Sequence, residues 1–425
     1  MRREDVRPLL ERAARGLPVP DLADTAWAGG VGVRRRRRRG ALALLATVLV
    51  VAAAAALLSG TGGGNAEPVP PTVPPTPFGF VPPSGTIAGM DFWMAPPAGS
   101  ERFLDRVVTP LGDLLRLPDN PPELRVQPVR RIAAVLLAEQ SGGHFTPLLL
   151  DEDGHWGRAD LDLAPISSGP PLSSASVSPD GRLVAFPQPG EMALLDGTTA
   201  DAYRVKLPWQ DVRSVSWLPD SKRVLVSGKD RAYRVLVGSG GDGEQAVTAV
   251  SGSSDPAAVT APYRLEGVAG QASLLQYSFT RGWTVQRTLQ LPATSWVGQT
   301  FATTDRAARL FLATPLAEVS TPTSQPQIVA GISTTESAPS RLLVLGETPA
   351  QKPIDTPTIP VPTTPEIRRP GCCGVLGWYD DHDLLVQVVG RYSAWILAWD
   401  VQTGQVRRVT ELEVGPIALG PGIHG

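Results

Sequence analysis

Cysteine and lysine are nearly missing from this 425-residue chain: the cysteines are Cys372 and Cys373, side by side, and the lysines are Lys206, Lys222, Lys229 and Lys352. Two adjacent thiols and four scattered histidines (His144, His155, His382, His424) do not make the ligand spacing of a zinc site. An HExxH helix, a G-x-S-x-G elbow, a Walker A loop and a G-x-G-x-x-G turn are all lacking, which removes the commonest hydrolase and nucleotide signatures. The sequence therefore assigns no catalytic, cofactor-binding or metal residue, and the expectation is a protein that is not an enzyme. Also lacking, after Leu117, is any amphipathic run long enough for a core helix. What is plentiful is turn chemistry: glycine and proline number 43 each, while a hydrophobic content of 42% suffices for a buried core.

Charge divides the chain unevenly. Of its 39 basic and 41 acidic residues, eleven and five fall in residues 1–40, leaving 28 and 36 for the rest. A basic end followed by an acidic bulk makes nucleic acid a poor partner. The basic stretch closes on Arg34, Arg35, Arg36, Arg37, Arg38 and Arg39, next to ALALLATVLVVAAAAALL (residues 41–58). Eighteen residues of helix span roughly 27 Å, enough for a bilayer core. Its leucines and valines favour insertion by about 4 kcal/mol. The positive-inside rule then predicts a transmembrane helix with residues 1–40 in the cytoplasm and the remainder outside, in the cell membrane as a single-pass protein. A cleaved signal sequence and a buried soluble helix are the competing readings. Val6, Leu9, Leu10, Ala13, Ala14 and Leu17 share one helical face, predicting a short cytoplasmic amphipathic helix; a frayed tail is its alternative. Residues 59–85 form a Gly/Pro-rich linker with polyproline II character, residues 86–412 an all-β domain, and residues 413–425 a tail.

The all-β domain repeats itself. Ser176-Val-Ser-Pro-Asp-Gly-Arg-Leu-Val-Ala-Phe186 reads as a strand end, a turn and a strand; Ser214-Val-Ser-Trp-Leu-Pro-Asp-Ser-Lys-Arg-Val-Leu-Val226 repeats it. Asp180 and Asp220 are thus one period of about forty residues apart. Leu376-Gly-Trp-Tyr-Asp-Asp-His-Asp-Leu-Leu-Val386 places Asp381 on Asp220 some four periods on, and Thr304–Leu312 is a degenerate copy with Asp305 at its turn. Pro179 and Pro219 end strands without orphaning a ladder donor, and Asp180-Gly181 supplies the turn. Four-stranded units of this size cannot bury their faces alone, so copies must stack.

These segments resemble the blade motifs of WD-repeat and TolB-type β-propellers, and Trp399-Asp400 fits the end of a third strand. With the predicted anchor, the whole resembles the single-pass propeller proteins of actinobacteria. The resemblance implies protein binding or scaffolding with no shared catalytic set. Markers near residues 140, 180, 220, 262, 305, 343 and 381 predict seven blades, with six as the alternative, and Thr86–Trp93 is a candidate for the strand that closes the ring. Two local features stay open. Cys372 and Cys373 form either a vicinal disulfide or a pair of thiols. Asp151-Glu-Asp-Gly-His155 begins like a calcium loop but equally makes a hairpin turn. The functional expectation is a monomeric, membrane-anchored, extracytoplasmic scaffold or sensory module with a protein partner and the lipid bilayer. The alternatives are an extracytoplasmic hydrolase or lyase with its site at the propeller mouth, and a regulator of a membrane-associated transcription factor.

Overall fold

Strands whose two faces are both apolar dominate the chain, because each is sandwiched between neighbouring sheets. A computed structural model describes residues 79–229, 231–237, 247–250, 263–268, 270–278, 282–303, 305–313, 326–335, 338–346, 373–390, 392–413 and 415–424. Apart from Ser278 and Gly282, these belong to one compact unit, Val73–Tyr277 with Trp283–Gly425.

The chain enters along sheet edges with β1 (Gly85–Ile87), β2 (Met90–Met94) and β3 (Leu114–Leu115). Blade 1 follows as β4 (Ile132–Glu139), β5 (Phe145–Asp151) and β6 (Trp156–Arg158), and blade 2 as β7 (Leu183–Gln188), β8 (Glu191–Asp196) and β9 (Ala202–Lys206). Blade 3 is β10 (Ser214–Trp217), β11 (Arg223–Ser227), β12 (Ala232–Leu236) and β13 (Val247–Val250). A separate sheet comprises β14 (Tyr263–Val268), β15 (Gln271–Ser278) and β16 (Gly282–Gln290). Blade 4 is β17 (Ala293–Ala302), β18 (Arg306–Ala313), β19 (Gln327–Ser333) and β20 (Arg341–Val344). Blade 5 is β21 (Gly374–Trp378), β22 (Asp383–Val389), β23 (Ala394–Asp400) and β24 (Val406–Leu412). The last strand, β25 (Ile417–Leu419), returns to blade 1 and pairs with β4 from Ile417↔Leu136 to Leu419↔Ala134.

Period-two alternation sends successive residues of one strand into different inter-blade cores. In β8, Ala193 and Leu195 pack between blades 1 and 2, whereas Met192 and Leu194 pack between blades 2 and 3. In β23, Leu397 and Trp399 face blade 4 while Ile396 and Ala398 face blade 1. The outermost strands are different: β9 buries only Val205, so its pattern is the ordinary half-buried alternation. Burying a side chain such as Trp399 contributes about 3 kcal/mol, and the blades stack through many such contacts.

The expected six- or seven-bladed ring, with its transmembrane and cytoplasmic helices, is corrected by this topology. Among the described residues, five sheets send an inner strand or strand-like segment to the centre, and the β14–β16 sheet does not line it. That sheet packs instead against blade 4, with Tyr263, Leu265 and Leu274 against Phe311, Ile328 and Ala330. The marker near 262 therefore belongs to an added layer, and the one near 343 is β20, the fourth strand of a blade already counted. The long spacings, from Asp220 to Asp305 and from Asp305 to Asp381, are each one blade plus an insertion. No described helix is long and apolar enough to cross a membrane, and the helical segments among the described residues are 3-10 turns at Glu101–Phe103 and Pro421–His424. The helices expected in residues 1–40 and 41–58, Arg34 to Arg39 among them, lie outside the described residues, as does most of the 59–85 linker.

Ring closure also differs from the expectation. Thr86–Trp93 does not close the ring; β2 runs parallel to β20 on the outer edge of blade 4, and β1 pairs with β2. The same entering segment then touches blade 5, where β3 pairs with β24, and blade 1, where Leu124 N–H donates to the Arg158 carbonyl. Closure is by β25, from the stretch expected to be a tail. Gly420 makes it fit: a Cβ there would stand 2.3 Å from the Ile132 carbonyl oxygen.

Candidate functional site

Every inner strand runs toward the same face and ends there, so one face of the ring collects five strand ends and the turns that follow them. The ends enclose a cavity of about 300 Å³ lined from blade 2 by Ser174, Ala175 and Val177 to Pro179, from blade 3 by Ser216, Trp217 and Pro219, and from blade 4 by Thr300 to Ala302. Blade 5 adds Leu376 to Trp378, and the closing segment adds Leu419 to Pro421 with Ile423 and His424. Among the described residues, the lining holds no Asp, Glu, Lys or Arg.

The walls are fastened across blade boundaries by side-chain N–H groups of two tryptophans and a glutamine. Trp217 Nε1 donates to the Ser176 carbonyl at 2.8 Å, joining blades 3 and 2. Trp378 Nε1 donates to the Phe301 carbonyl at 3.3 Å, joining blades 5 and 4. Gln299 Nε2 donates to the Val215 carbonyl at 2.9 Å, joining blades 4 and 3. Gln299 and Thr300 sit in a bulge of β17, where Val297 and Phe301 pair with Leu310 and Ala308 across Arg309. Gly298, at φ +68°, makes the bend, and the buried Arg309 side chain holds it by donating from Nε to the Gly298 carbonyl. Among the described residues, the Thr300 hydroxyl, on a residue only 2% exposed, has no hydrogen-bond partner. At the closing segment, burial pushes the His424 imidazole below its ordinary pKa and the nearby Arg131 charge adds to this, against a smaller opposing pull from Asp380. The imidazole lies against Tyr379, ring centres 4.6 Å apart.

The repeat residues surround this cavity as turn-formers. Asp180 Oδ1 accepts from the Ser178 hydroxyl at 2.6 Å and the Arg182 N–H at 3.2 Å. Asp220 Oδ1 accepts from the N–H groups of Lys222 and Arg223. In blade 5 the residue that makes the same bonds is Asp380, to His382 and Asp383; Asp381 is exposed beside it. These backbone donors hold the Asp380 carboxyl below the usual carboxylate range even though burial pushes it up. Asp305 accepts from Thr303, and its carbonyl receives the N–H of Thr334. Pro179 and Pro219 line the mouth, and Gly181, at φ +77°, allows Pro421 to approach. Farther out, Asp400 accepts from the N–H groups of Gln402 and Thr403 while Trp399 is fully buried. Asp196 does the same work for Thr198 and also accepts from Arg182 Nε at 2.8 Å.

The structure thus gathers the repeat motif at one rim, but the cavity residues Thr300, Phe301, Trp378 and His424 were not legible as a site. The signal available was slight: Gly298 inside a strand, which marks a bulge or a close approach. Cys373 is buried and disulfide-bonded, and Cys372, outside the described residues, is the chain's other cysteine. Asp151, Asp153 and His155 hold possible ligand atoms within 4.8 Å of one another. The local geometry is that of a hairpin turn: Asp151 Oδ1 accepts the N–H groups of Asp153 and His155, and Gly154 has φ +85°.

No family model and no curated protein matches the sequence. Solved structures do. TolB from Acinetobacter baumannii is 12% identical with a TM-score of 0.40, covering 68% of this chain and 65% of its own. The Cps50 (Swd1) β-propeller domain of Myceliophteria thermophila is 13% identical with a TM-score of 0.33, over 68% and 89%. Hydrazine synthase of Kuenenia stuttgartiensis is 12% identical with a TM-score of 0.38, over 67% and 80%. The fold is a β-propeller. Its neighbours include TolB and WD-repeat-type propellers, and the chain spans slightly less than two thirds of the TolB structure.

Proposed function

We propose that this propeller is a non-catalytic recognition module that binds another protein at the mouth of its central cavity. One observation carries the reading: Trp217, Phe301 and Trp378, from three different blades, converge with Pro179, Pro219 and Pro421 on one apolar recess. Rigid aromatic surface in a desolvated pocket is the usual centre of a protein-recognition hot spot, because little conformational entropy is lost when a partner seats there. A propeller also presents such a mouth without moving, since each wall residue is held by its blade. Scaffolding follows from the same surface.

The location proposed with it is extracytoplasmic, at the cell membrane. The disulfide at Cys373 supports this, since such bonds persist in oxidising compartments, and so does the basic run at Arg34–Arg39 beside its apolar neighbour. The test is site-directed photo-crosslinking in intact cells from position 301, with Tyr392, 79% exposed, as the comparison site. One protein should be captured from position 301 and lost on Trp378→Leu, while position 392 captures none. Turnover of glycoside, peptide or ester substrates by the purified chain would defeat the reading. Protease added to whole cells should digest the propeller; protection of it would defeat the location.

A further inference from the structure

The mouth proposed as the recognition surface carries an uneven charge, and the partner inferred from it rests on that reading. Inside the mouth, Trp217 and Trp378 have each spent their one N–H on a neighbouring blade, so their rings offer a ligand apolar surface alone. Among the described residues no Asp, Glu, Lys or Arg lines the recess. A charge moved there from water would lose its hydration without gaining a counter-charge. A volume of about 300 Å³ stands at the small end of ligand pockets, which suits one side chain and leaves the rest of a partner at the rim.

The rim is charged on one side. Residues 379–383, the turn that follows Trp378 in blade 5, hold three aspartates and no Lys or Arg. Asp383 is buried and paired with Arg407. Asp380 and Asp381 are at the surface and, among the described residues, pair with no cation. Asp380 also lies near enough to act on His424, in the closing segment. Pro421 of that segment packs against the next turn of the rim at Gly181 in blade 2, where Asp180 is exposed and again without an ion pair among the described residues. The cations along this arc are committed elsewhere, Arg182 to Asp196 and Arg131 to Glu152 at 3.3 Å. Lys222 and Arg306 have no acid at pairing distance among the described residues, and they stand on blades 3 and 4, away from the arc.

We infer that the mouth takes a basic peptide segment, with one apolar side chain in the recess and a neighbouring Arg or Lys over the acidic arc from Asp380 and Asp381 to Asp180. Charges placed this way act on encounter and on the choice of partner more than on raw affinity. The preference is therefore modest and weakens with salt.

Isothermal titration of the full chain with three dipeptide probes tests this. N-acetyl-Phe-Arg-amide carries the cation, N-acetyl-Phe-citrulline-amide is its neutral near-isostere, and N-acetyl-Phe-Glu-amide reverses the charge. At about 50 mM salt the Arg probe should bind saturably and about fivefold more tightly than the citrulline probe, with the Glu probe weaker still. At about 500 mM salt most of that advantage should vanish. A chain carrying both Asp380→Asn and Asp381→Asn keeps a side-chain oxygen for the turn N–H groups while losing the charge. Its preference for Arg over citrulline should fall to within about twofold. Equal binding of the three probes by the unaltered chain would overturn the inference whether or not the variant folds. So would absence of saturable binding of the Arg probe, or an undiminished Arg preference in the folded double variant. Cellular capture from position 301 without an Arg preference sinks the basic-segment assignment alone; an Arg preference without capture sinks the protein-recognition reading and leaves the selectivity of the mouth standing.

Discussion

Gly181 and Ser221 hold the same place in two turns, the first after Pro-Asp in blade 2 and the second after Pro-Asp in blade 3. Both have positive φ, +77° and +53°. A serine there carries left-handed strain that glycine does not, offset in part by the greater freedom glycine has when unfolded. Ser221→Gly should therefore stabilise by about 0.5–1 kcal/mol, a rise in melting temperature of about 1–3 °C by calorimetry. The Asp196 carboxyl makes a second test. Burial pushes its pKa up, but hydrogen bonds from Arg182 and Thr198 outweigh this and hold it below the usual carboxylate range. A depressed folded pKa stabilises above the unfolded value and is lost as pH falls through the folded one. Asp196→Asn should cost about 1–2 kcal/mol at pH 7 and progressively less below pH 4, read from denaturant midpoints across pH. The neighbouring case has the opposite sign: burial raises the Asp383 carboxyl despite its Arg407 partner, so its contribution falls as pH rises through that range. Asp180 and Asp220 were readable as turn residues because their geometry is local. Thr300 was not, since its significance lies in what surrounds it.

Strands were legible as strands wherever apolar runs met a turn residue, and the two sharp repeats fell on real blade boundaries. Which sheet a strand joins was less legible. The strands β4 and β20 are both short apolar runs, yet one is the second strand of a blade and the other the fourth; hydrogen-bond partners far along the chain decide that. Closure is the extreme case, since β25 pairs with a strand nearly three hundred residues earlier. Its joint has no room: Gly420 would bring a Cβ to 2.7 Å from Val177 as well as against the Ile132 carbonyl. Gly420→Ala should cost about 2–3 kcal/mol. Hydrogen exchange should show the Ile417–Leu419 amides opening far faster than those of β22; unchanged protection there would mean the closure lies elsewhere.

At the scale of the molecule, the five blades are paired through strands that all lie between Gly85 and Leu419. The entering segment straps blades 4, 5 and 1 from Val81 onward, where its N–H meets the Thr403 carbonyl and its carbonyl receives Trp93 Nε1. A chain beginning at residue 79 should keep the strand signature in far-ultraviolet circular dichroism and melt within about 2 °C of the full chain. Loss of that signature would place earlier residues in the core. Sequence by itself determined the class of fold, since a forty-residue period of short apolar strands and Pro-Asp turns has few ways to bury both faces. It also determined the rim, because each turn is built from residues a few positions apart. The number of blades, the added β14–β16 layer, the closing strand and the cavity were decided only in three dimensions. The physical reason is common to all four: each depends on which distant surfaces meet, and neither the period nor the local turn chemistry encodes that pairing. Thr300 stands out for the same reason, as an ordinary residue in sequence whose hydroxyl is buried without a partner among the described residues when the strands converge.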